Sequence, residues 1–289
     1  MAKLTIITIN RNNAEGLGKT MESVLSQTSL DFEYIIVDGG STDDSLQVIR
    51  EICLVKNDLL LFKGEAEVNG IHVRWISEND NGIYHAMNKG INLAEGDYIQ
   101  FLNSGDILTG IDVTESMLSG MTECDILYGN MLKKLPHHIL CDRGFAGRKP
   151  TMLDFYLGTL NHSPAYIKRR LFEIYGLYDE SLKIVADYKW FLQVIIMNEI
   201  VPVYKNIDVT LFDMNGISTV NSTLDKAERR QVLEEILPLT MLRDYDQNAF
   251  FIDQLKRMNR FWFTRYSFYL MERILFKWEK WFKNKEQVF

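Results

Sequence analysis

The sequence predicts an α/β fold: a mixed, mainly parallel sheet flanked by helices, with a helical extension at the C-terminus. Three observations predict it. Apolar β-branched runs alternate with stretches of helical spacing through the first hundred residues. Each run ends in a short polar loop, as strands do in an open sheet wound strand, helix, strand, helix. From Asn221 onward the composition changes to charged helix.

The elements follow in order. Leu4-Thr5-Ile6-Ile7-Thr8-Ile9 is a continuous apolar run, the pattern of a parallel strand buried on both faces. Asn10-Arg11-Asn12-Asn13 supplies capping side chains for a helix whose apolar face is Leu17, Met21, Val24 and Leu25. Tyr34-Ile35-Ile36-Val37 is the second strand; Leu46, Ile49, Ile52 and Cys53 mark the second helix. Residues 54–70 are longer than this link needs and read as a surface excursion closed by Asn69-Gly70, a hairpin-turn signal. Ile71–Ile76 is a strand. Asp80-Asn81-Gly82 is turn chemistry, and Ile83, Met87, Ile91 and Ala94 space out a helix for which Gly96 is the expected left-handed end. Tyr98–Leu102 is a short strand running into the polar loop Asn103-Ser104-Gly105-Asp106. Helix over 112–118, strands over 125–129 and 165–168, a helix start at 169–172 and a helix from Asp187 to Asn198 complete the domain. A charged helix over 225–237 then meets Pro238, which should break it.

Composition excludes several classes. The net charge of −7 argues against general nucleic-acid binding, which wants a basic face. Cys53, Cys124 and Cys141 are few, odd in number and scattered, so neither a disulfide framework nor a cysteine metal site is expected. No run approaches the ~18 apolar residues of a spanning helix, and Leu4–Ile9 is too short for a signal core. His137-His138 invites a metal reading, but neighbours on a strand point to opposite faces, so exposed loop histidines are expected.

Chemistry concentrates at the predicted strand ends, where open α/β sheets bind ligands. Asp38, in Val37-Asp38-Gly39-Gly40-Ser41-Thr42-Asp43, is either part of a turn or an acceptor for a ligand N–H. Asp80 and Lys89 read by themselves as a solvated turn acid and a solvated helix lysine. Asp106 is sited to hold a metal ion on a phosphate. Asp187 opens a helix, where an acid also favours the dipole. His162 reads equally as a structural histidine or a pocket residue.

The stretch Asp80–Asp106 (DNGIYHAMNKGINLAEGDYIQFLNSGD), with Ile36-Val37-Asp38 to Asp43 before it and Asn161-His162, Gly176–Glu180 and Asp187 after it, resembles glycosyltransferase family 2 over about residues 3–220. These are inverting nucleotide-sugar transferases of GT-A fold. The resemblance implies a domain over 1–220, with 1–106 the nucleotide-binding half and 107–220 the acceptor side, and a helical region over 221–289. It implies Asp187 as catalytic base, with Thr8, Asn10, Asp38, Asp80, Lys89 and Ser104 around the nucleotide and Asp38 on the base. Asp106 would hold a divalent Mn2+ or Mg2+. Asn103, His162 and Asp179 would line the acceptor or donor pocket. The family's metal cluster is reduced here: Asn103 and Gly105 stand where carboxylates are common, so weaker metal binding is expected. The implied partners are a nucleoside-diphosphate sugar, UDP-linked by family habit, and a carbohydrate or lipid-linked carbohydrate acceptor in bacterial surface polysaccharide or lipopolysaccharide synthesis. The implied place is the cytoplasm, peripheral on the inner membrane face. Two alternatives stay open: a nucleotide-sugar-binding member with lost or weak catalysis, and a nucleotidyltransferase. The second would need a glycine- and lysine-rich loop after the first strand, which Asn10–Asn13 is not. Asp213-Met214-Asn215-Gly216-Ile217-Ser218 resembles a late family loop over the donor.

Residues 260–289 hold seven Lys or Arg against three acids, and eleven of the chain's 34 aromatics. A basic, Trp-rich helix fits an interfacial membrane contact, and equally a helix packed on the protein or on a second copy.

Overall fold

The computed structural model describes residues 3–55, 62–119, 124–135, 137–213, 221–258, 266–267 and 269–278. The chain divides into two compact units, Met1–Val232 and Leu233–Phe289.

The first unit is built on one sheet, with ten strands among the described residues. Its centre is β1 (Leu4–Asn10) and β2 (Phe32–Asp38), every residue of both being buried. They pair in parallel, and β2 pairs in parallel with β4 (Ile71–Ser77) and β1 with β5 (Tyr98–Phe101). Helices α1 (Ala14–Leu25), α2 (Ser45–Ile52) and α3 (Ile83–Leu93) make the crossovers. Leu4, Ile6, Leu17, Met21, Tyr34 and Ile36 share one core, each side chain worth about 1.5–3 kcal/mol of burial. The Asn10–Asn13 loop caps as its residue types suggest: Asn13 Oδ1 accepts from Gly16 N–H at 3.1 Å.

The 54–70 excursion contains an element that the sequence reading passed over. β3 (Lys63–Val68) lies antiparallel on β4 as an edge strand, and Asn69 and Gly70 make the turn with φ of 52° and 81°. Residues 56–61 lie outside the described residues. Gly96 does not end α3, which closes on Ala94 in extended conformation. Its need for glycine is a close approach: a Cβ there would stand 2.7 Å from the Leu4 carbonyl carbon and the Thr5 nitrogen.

Beyond β5 the sheet turns mixed. After β6 (Ile107–Leu108) and α4 (Val113–Leu118) come β7 (Ile126–Lys134), β8 (Ile139–Asp142), α5 (Met152–Leu157), β9 (Ala165–Lys168) and α6 (Arg170–Tyr175). β9 is antiparallel to both β5 and β7, so it joins the two parallel parts. α7 (Ala186–Phe191) continues as a π-helical turn over Leu192–Met197. β10 (Val203–Phe212), unmarked in the sequence reading, runs parallel to β7 with a bulge between Tyr204 and Thr210, and antiparallel to β6. Helix α8 (Ser222–Ile236) follows, and α9 (Leu239–Met258) begins directly after Pro238. The boundary between the two units falls inside α8 rather than at residue 220. Its first half belongs with the sheet: Glu228 accepts the N–H groups of Lys183 and Ile184, both at 2.9 Å. The three cysteines are free thiols, and His137 and His138 are exposed in the β7–β8 turn. Among the described residues no helix is long and apolar enough to cross a membrane.

Candidate active site

The loops after β1, β2, β4 and β5 all open at one end of the sheet. Asp38 fastens them. It is fully buried, and Asn10 Nδ2, Ser41 Oγ, Ser41 N–H and Ser77 Oγ all donate to its two oxygens. A carboxylate offers about four lone pairs, so Asp38 keeps none for a nucleobase. Its place at the strand end is as expected; the imide-accepting role is not left open to it. Thr8 likewise turns into the sheet, donating to the Leu102 carbonyl at 2.8 Å and accepting from Tyr34. Asn10 donates to Asp38, Ser41 and Ser45, while its Oδ1 is buried without a partner. Ser104 receives Asn13 Nδ2 on its carbonyl at 3.0 Å.

The carboxylate over this loop is Asp80. A Cβ on Gly39 would lie 2.9 Å from Asp80 Oδ2. Its Oδ1 takes Lys89 Nζ and lies 3.3 Å from His85 Nδ1. Lys89 also pairs with Glu78 at 2.7 Å. Burial works against its charge, but Asp80 and Glu78 together hold its ammonium above the ordinary lysine range.

Asp106 is 3% exposed. Its Oδ1 accepts Asp213 N–H at 2.8 Å, while Oδ2 is buried with no partner. Burial pushes its carboxyl up to about 7, against the pull of the Asp213 amide and of His162, with Asp213 adding to the rise. Gly105 has φ of 105°, and a Cβ on it would stand 2.6 Å from Asp213 Oδ2; glycine is needed both for the backbone and for the second acid. Asn103 Oδ1 is also buried without a partner. Two carboxylates and an amide oxygen, with buried oxygens lacking partners, are the hard donors that Mg2+ and Mn2+ prefer, so the residues fit a divalent ion. Among the described residues no group of three or more His, Cys, Asp or Glu is placed to hold a metal ion, so such an ion would rest on these two acids, the amide and its other ligands. Asp213 is a donor that the sequence reading placed only at the start of a loop; residues 214–220 of that loop lie outside the described residues.

Asp187 lies in the first turn of α7, with its side chain 15% exposed. Its Oδ1 accepts Tyr84 Oη at 3.0 Å and Tyr188 N–H at 2.9 Å. Its Oδ2 lies 2.9 Å from His162 Nδ1. Burial alone would raise this carboxyl; the bond and charge of His162, with the Tyr188 amide and Tyr84, hold it below the ordinary value. For His162 burial works against the charge, but Asp187, and at longer range Asp106, raise its proton affinity above that of an ordinary imidazole. The other ring nitrogen of His162 lies 3.4 Å from Asn103 Nδ2. One imidazole thus faces Asp187 on one side and the Asn103–Asp106 loop on the other, which brings residues 106 and 187 to opposite sides of the same ring.

Tyr84 was missed in the sequence, where it reads as one more apolar helix position. It projects from α3, donates also to the Ile184 carbonyl, and packs in an aromatic group with Tyr178, Phe172 and Trp190; the last two stack at 4.5 Å. Asn88, one turn on, bonds Tyr178 and Glu180. Asp179 is engaged away from His162 and Asp187. It pairs with Lys189 at 2.8 Å and receives Ser181, and these bonds bring its carboxyl to about 2.

The chain is similar to known proteins over most of its length. Residues 5–133 match the family described as Glycosyl transferase family 2. An uncharacterized glycosyltransferase of Mycobacterium tuberculosis is 30% identical over 75% of this chain and 77% of its own length. The PGL/p-HBAD biosynthesis glycosyltransferase of Mycobacterium bovis is 27% identical over 77% of this chain and 80% of its own length. In fold, the chain is similar to S. aureus TarS 1-349 in complex with UDP (TM-score 0.57, 17% identity, 86% of this chain and 74% of that one). It is also similar to the mannosyltransferase PcManGT from Pyrobaculum calidifontis in complex with GDP-Man and Mn2+ (TM-score 0.54, 16% identity, 73% and 56%). With two thirds and more of both chains aligned to a glycosyltransferase at 30% identity, and residues 5–133 matched to the family, this chain belongs to glycosyl transferase family 2 and is a glycosyltransferase.

Proposed function

We propose that the protein is an inverting transferase that moves a sugar from a nucleoside diphosphate, UDP-linked, to a hydroxyl of a carbohydrate or lipid-linked carbohydrate in bacterial surface glycan synthesis. The observation that carries the reading is the His162 bridge, which joins Asp187 to the Asn103–Asp106 loop. Inversion is one in-line displacement: the acceptor oxygen bonds to the anomeric carbon as the bond to the diphosphate oxygen breaks. The electron pair leaves with the diphosphate, and the acceptor proton goes to Asp187. Oδ1 already accepts two bonds, so Oδ2, with one lone pair beside its His162 bond, is the atom that takes it. An ionised carboxylate is what general-base catalysis requires, and the low proton affinity of Asp187 keeps it ionised at neutral pH.

Asp106, with Asp213 and Asn103, would hold Mn2+ or Mg2+, which when bound supplies positive charge against the leaving diphosphate. Asp80 Oδ2, over Gly39, takes the base-reading place that saturated Asp38 cannot, and Lys89 orients it. The UDP and GDP-Man complexes of the structural neighbours support a nucleotide-sugar donor.

The test is Asp187→Asn. Transfer should fall by about 10²–10⁴-fold while UDP affinity stays near normal. Transfer surviving in that variant would move the base elsewhere. Absence of turnover in the native protein with every nucleotide sugar bound would instead leave a binding protein that has lost its chemistry.

A further inference from the structure

Residues 133–149, the end of β7, β8 and the loop after it, hold five cations (Lys133, Lys134, Arg143, Arg148, Lys149) against one acid, Asp142. That is +4 in a chain of −7, so everything else sums to −11. Lys133 pairs with Asp142 and Arg148 with Asp154. Among the described residues Lys134, Arg143 and Lys149 have no carboxylate partner, and all three are exposed. Between them sit Ile139 and Leu140, 59% and 46% exposed. In register, Lys134 faces Ile139 and Lys133 faces Leu140, so each side of the hairpin presents a cation beside an aliphatic side chain. β8 pairs with β7 alone among the described strands.

This surface adjoins the site on its acceptor side. Lys133 is in register with Phe212, the neighbour of Asp213. Asp142 also accepts Asn161 Nδ2 at 3.1 Å, next to His162.

Cations beside exposed aliphatic groups suit one environment: the headgroup boundary of an anionic bilayer, where phosphates meet Lys and Arg and short apolar groups enter between them. A nucleic acid would want aromatic faces for its bases, and the hairpin's Phe145 is buried. Lysines along an edge also discourage another protein strand from adding to it. Outside this hairpin and the basic segment 260–289, the chain is net acidic, which turns the remaining surface away from such a membrane. We propose that the β7–β8 hairpin docks on an anionic lipid surface and presents the adjoining pocket to an acceptor held in that surface. The presentation rests on the transfer reading; the docking does not.

The experiment uses the full chain with its C-terminal region intact, sedimented with phosphatidylcholine vesicles with or without phosphatidylglycerol. Each cation near such a surface is worth a factor of about five in partitioning. Lys134→Glu/Arg143→Glu/Lys149→Glu should therefore bind the anionic vesicles more weakly by on the order of 100-fold, with little change on neutral ones and with nucleotide-sugar hydrolysis in solution unchanged. Should the triple variant lose its thermal transition, Lys134→Gln alone should lower anionic binding by about fivefold. Ile139→Ser/Leu140→Ser should lower it by a factor that added salt does not remove, because apolar burial is not screened. Binding that the charge variants leave within twofold, or that is equal on both vesicles, overturns the proposal. Charge-dependent vesicle binding in a protein with no turnover keeps the docking and removes the transfer reading.

Discussion

Asp106→Asn should make the metal-free protein more stable while abolishing its activity. The ordinary carboxyl value is 3.8, and burial raises that of Asp106 to about 7. A gap of about 3 pH units corresponds to ~4 kcal/mol. The sign follows from the direction. Between those two pH values the folded state binds the proton more than the unfolded state does, so stability falls as pH rises and the full cost is present above pH 7. At pH 8 in EDTA the native protein bears the whole ~4 kcal/mol and the amide bears none of it. The substitution has a cost of its own, since Oδ2 has no partner and a buried amide N–H in its place costs about 1–3 kcal/mol if it finds none. The net gain is about 1–3 kcal/mol, or a melting temperature higher by roughly 2–10 °C for a unit of this size. At pH 5, where Asp106 is mostly protonated, the gain should shrink or reverse. Saturating Mn2+, at a hundredfold over its Kd, should add about 2.7 kcal/mol to the native protein and little to the variant. Melting curves at both pH values, with EDTA or Mn2+, decide the matter. A variant that melts at or below the native protein at pH 8, or a difference that is the same at pH 5 and pH 8, refutes the view of Asp106 as a buried charge awaiting a cation.

Three further outcomes are expected. His162→Ala removes the bond that keeps Asp187 acidic while the burial that raises it stays, so activity should be lost at higher pH on acidification; an acid limb of kcat/KM that does not move would separate the two residues. Tyr84→Phe removes a donor to a charged group worth about 1.5–3 kcal/mol, so kcat should fall roughly 10- to 100-fold with donor KM unchanged, and steady-state kinetics show whether KM moves instead. Removal of residues 260–289, whose charge is +4, should reduce recovery with anionic liposomes; equal recovery of both forms in the supernatant would end a membrane role for that segment.

The first half of the sheet was readable because its strands are unbroken apolar runs such as Leu4–Ile9 and Tyr34–Val37, and its loops carry capping residues. β10 was not, because its exposed and half-buried residues mix Lys205, Asn206 and Asp208 among the apolar positions, and its place between β7 and β6 comes from pairing that the local sequence does not announce. β3 was hidden for a similar reason, as an edge strand with charged outward residues. Within the site, the strand-end acids were legible as types, but not which of them would be used up. Asp38 is saturated by Asn10, Ser41 and Ser77, side chains from the ends of three separate strands. Asp179 is drawn off by Lys189. Tyr84 was concealed because its ring is apolar filler and only its hydroxyl reaches Asp187.

Glu228 gives the helix after the sheet a hold on the segment that leads into Asp187. Its two oxygens grip the backbone of Lys183 and Ile184, the Ile184 carbonyl anchors the same tyrosine hydroxyl that touches Asp187, and the Arg229 guanidinium lies 4.4 Å over the Tyr188 ring. These contacts run in series from α8 to Asp187, and a chain cut short before residue 228 would lose the two Glu228 bonds that hold the backbone on which Tyr84 is anchored.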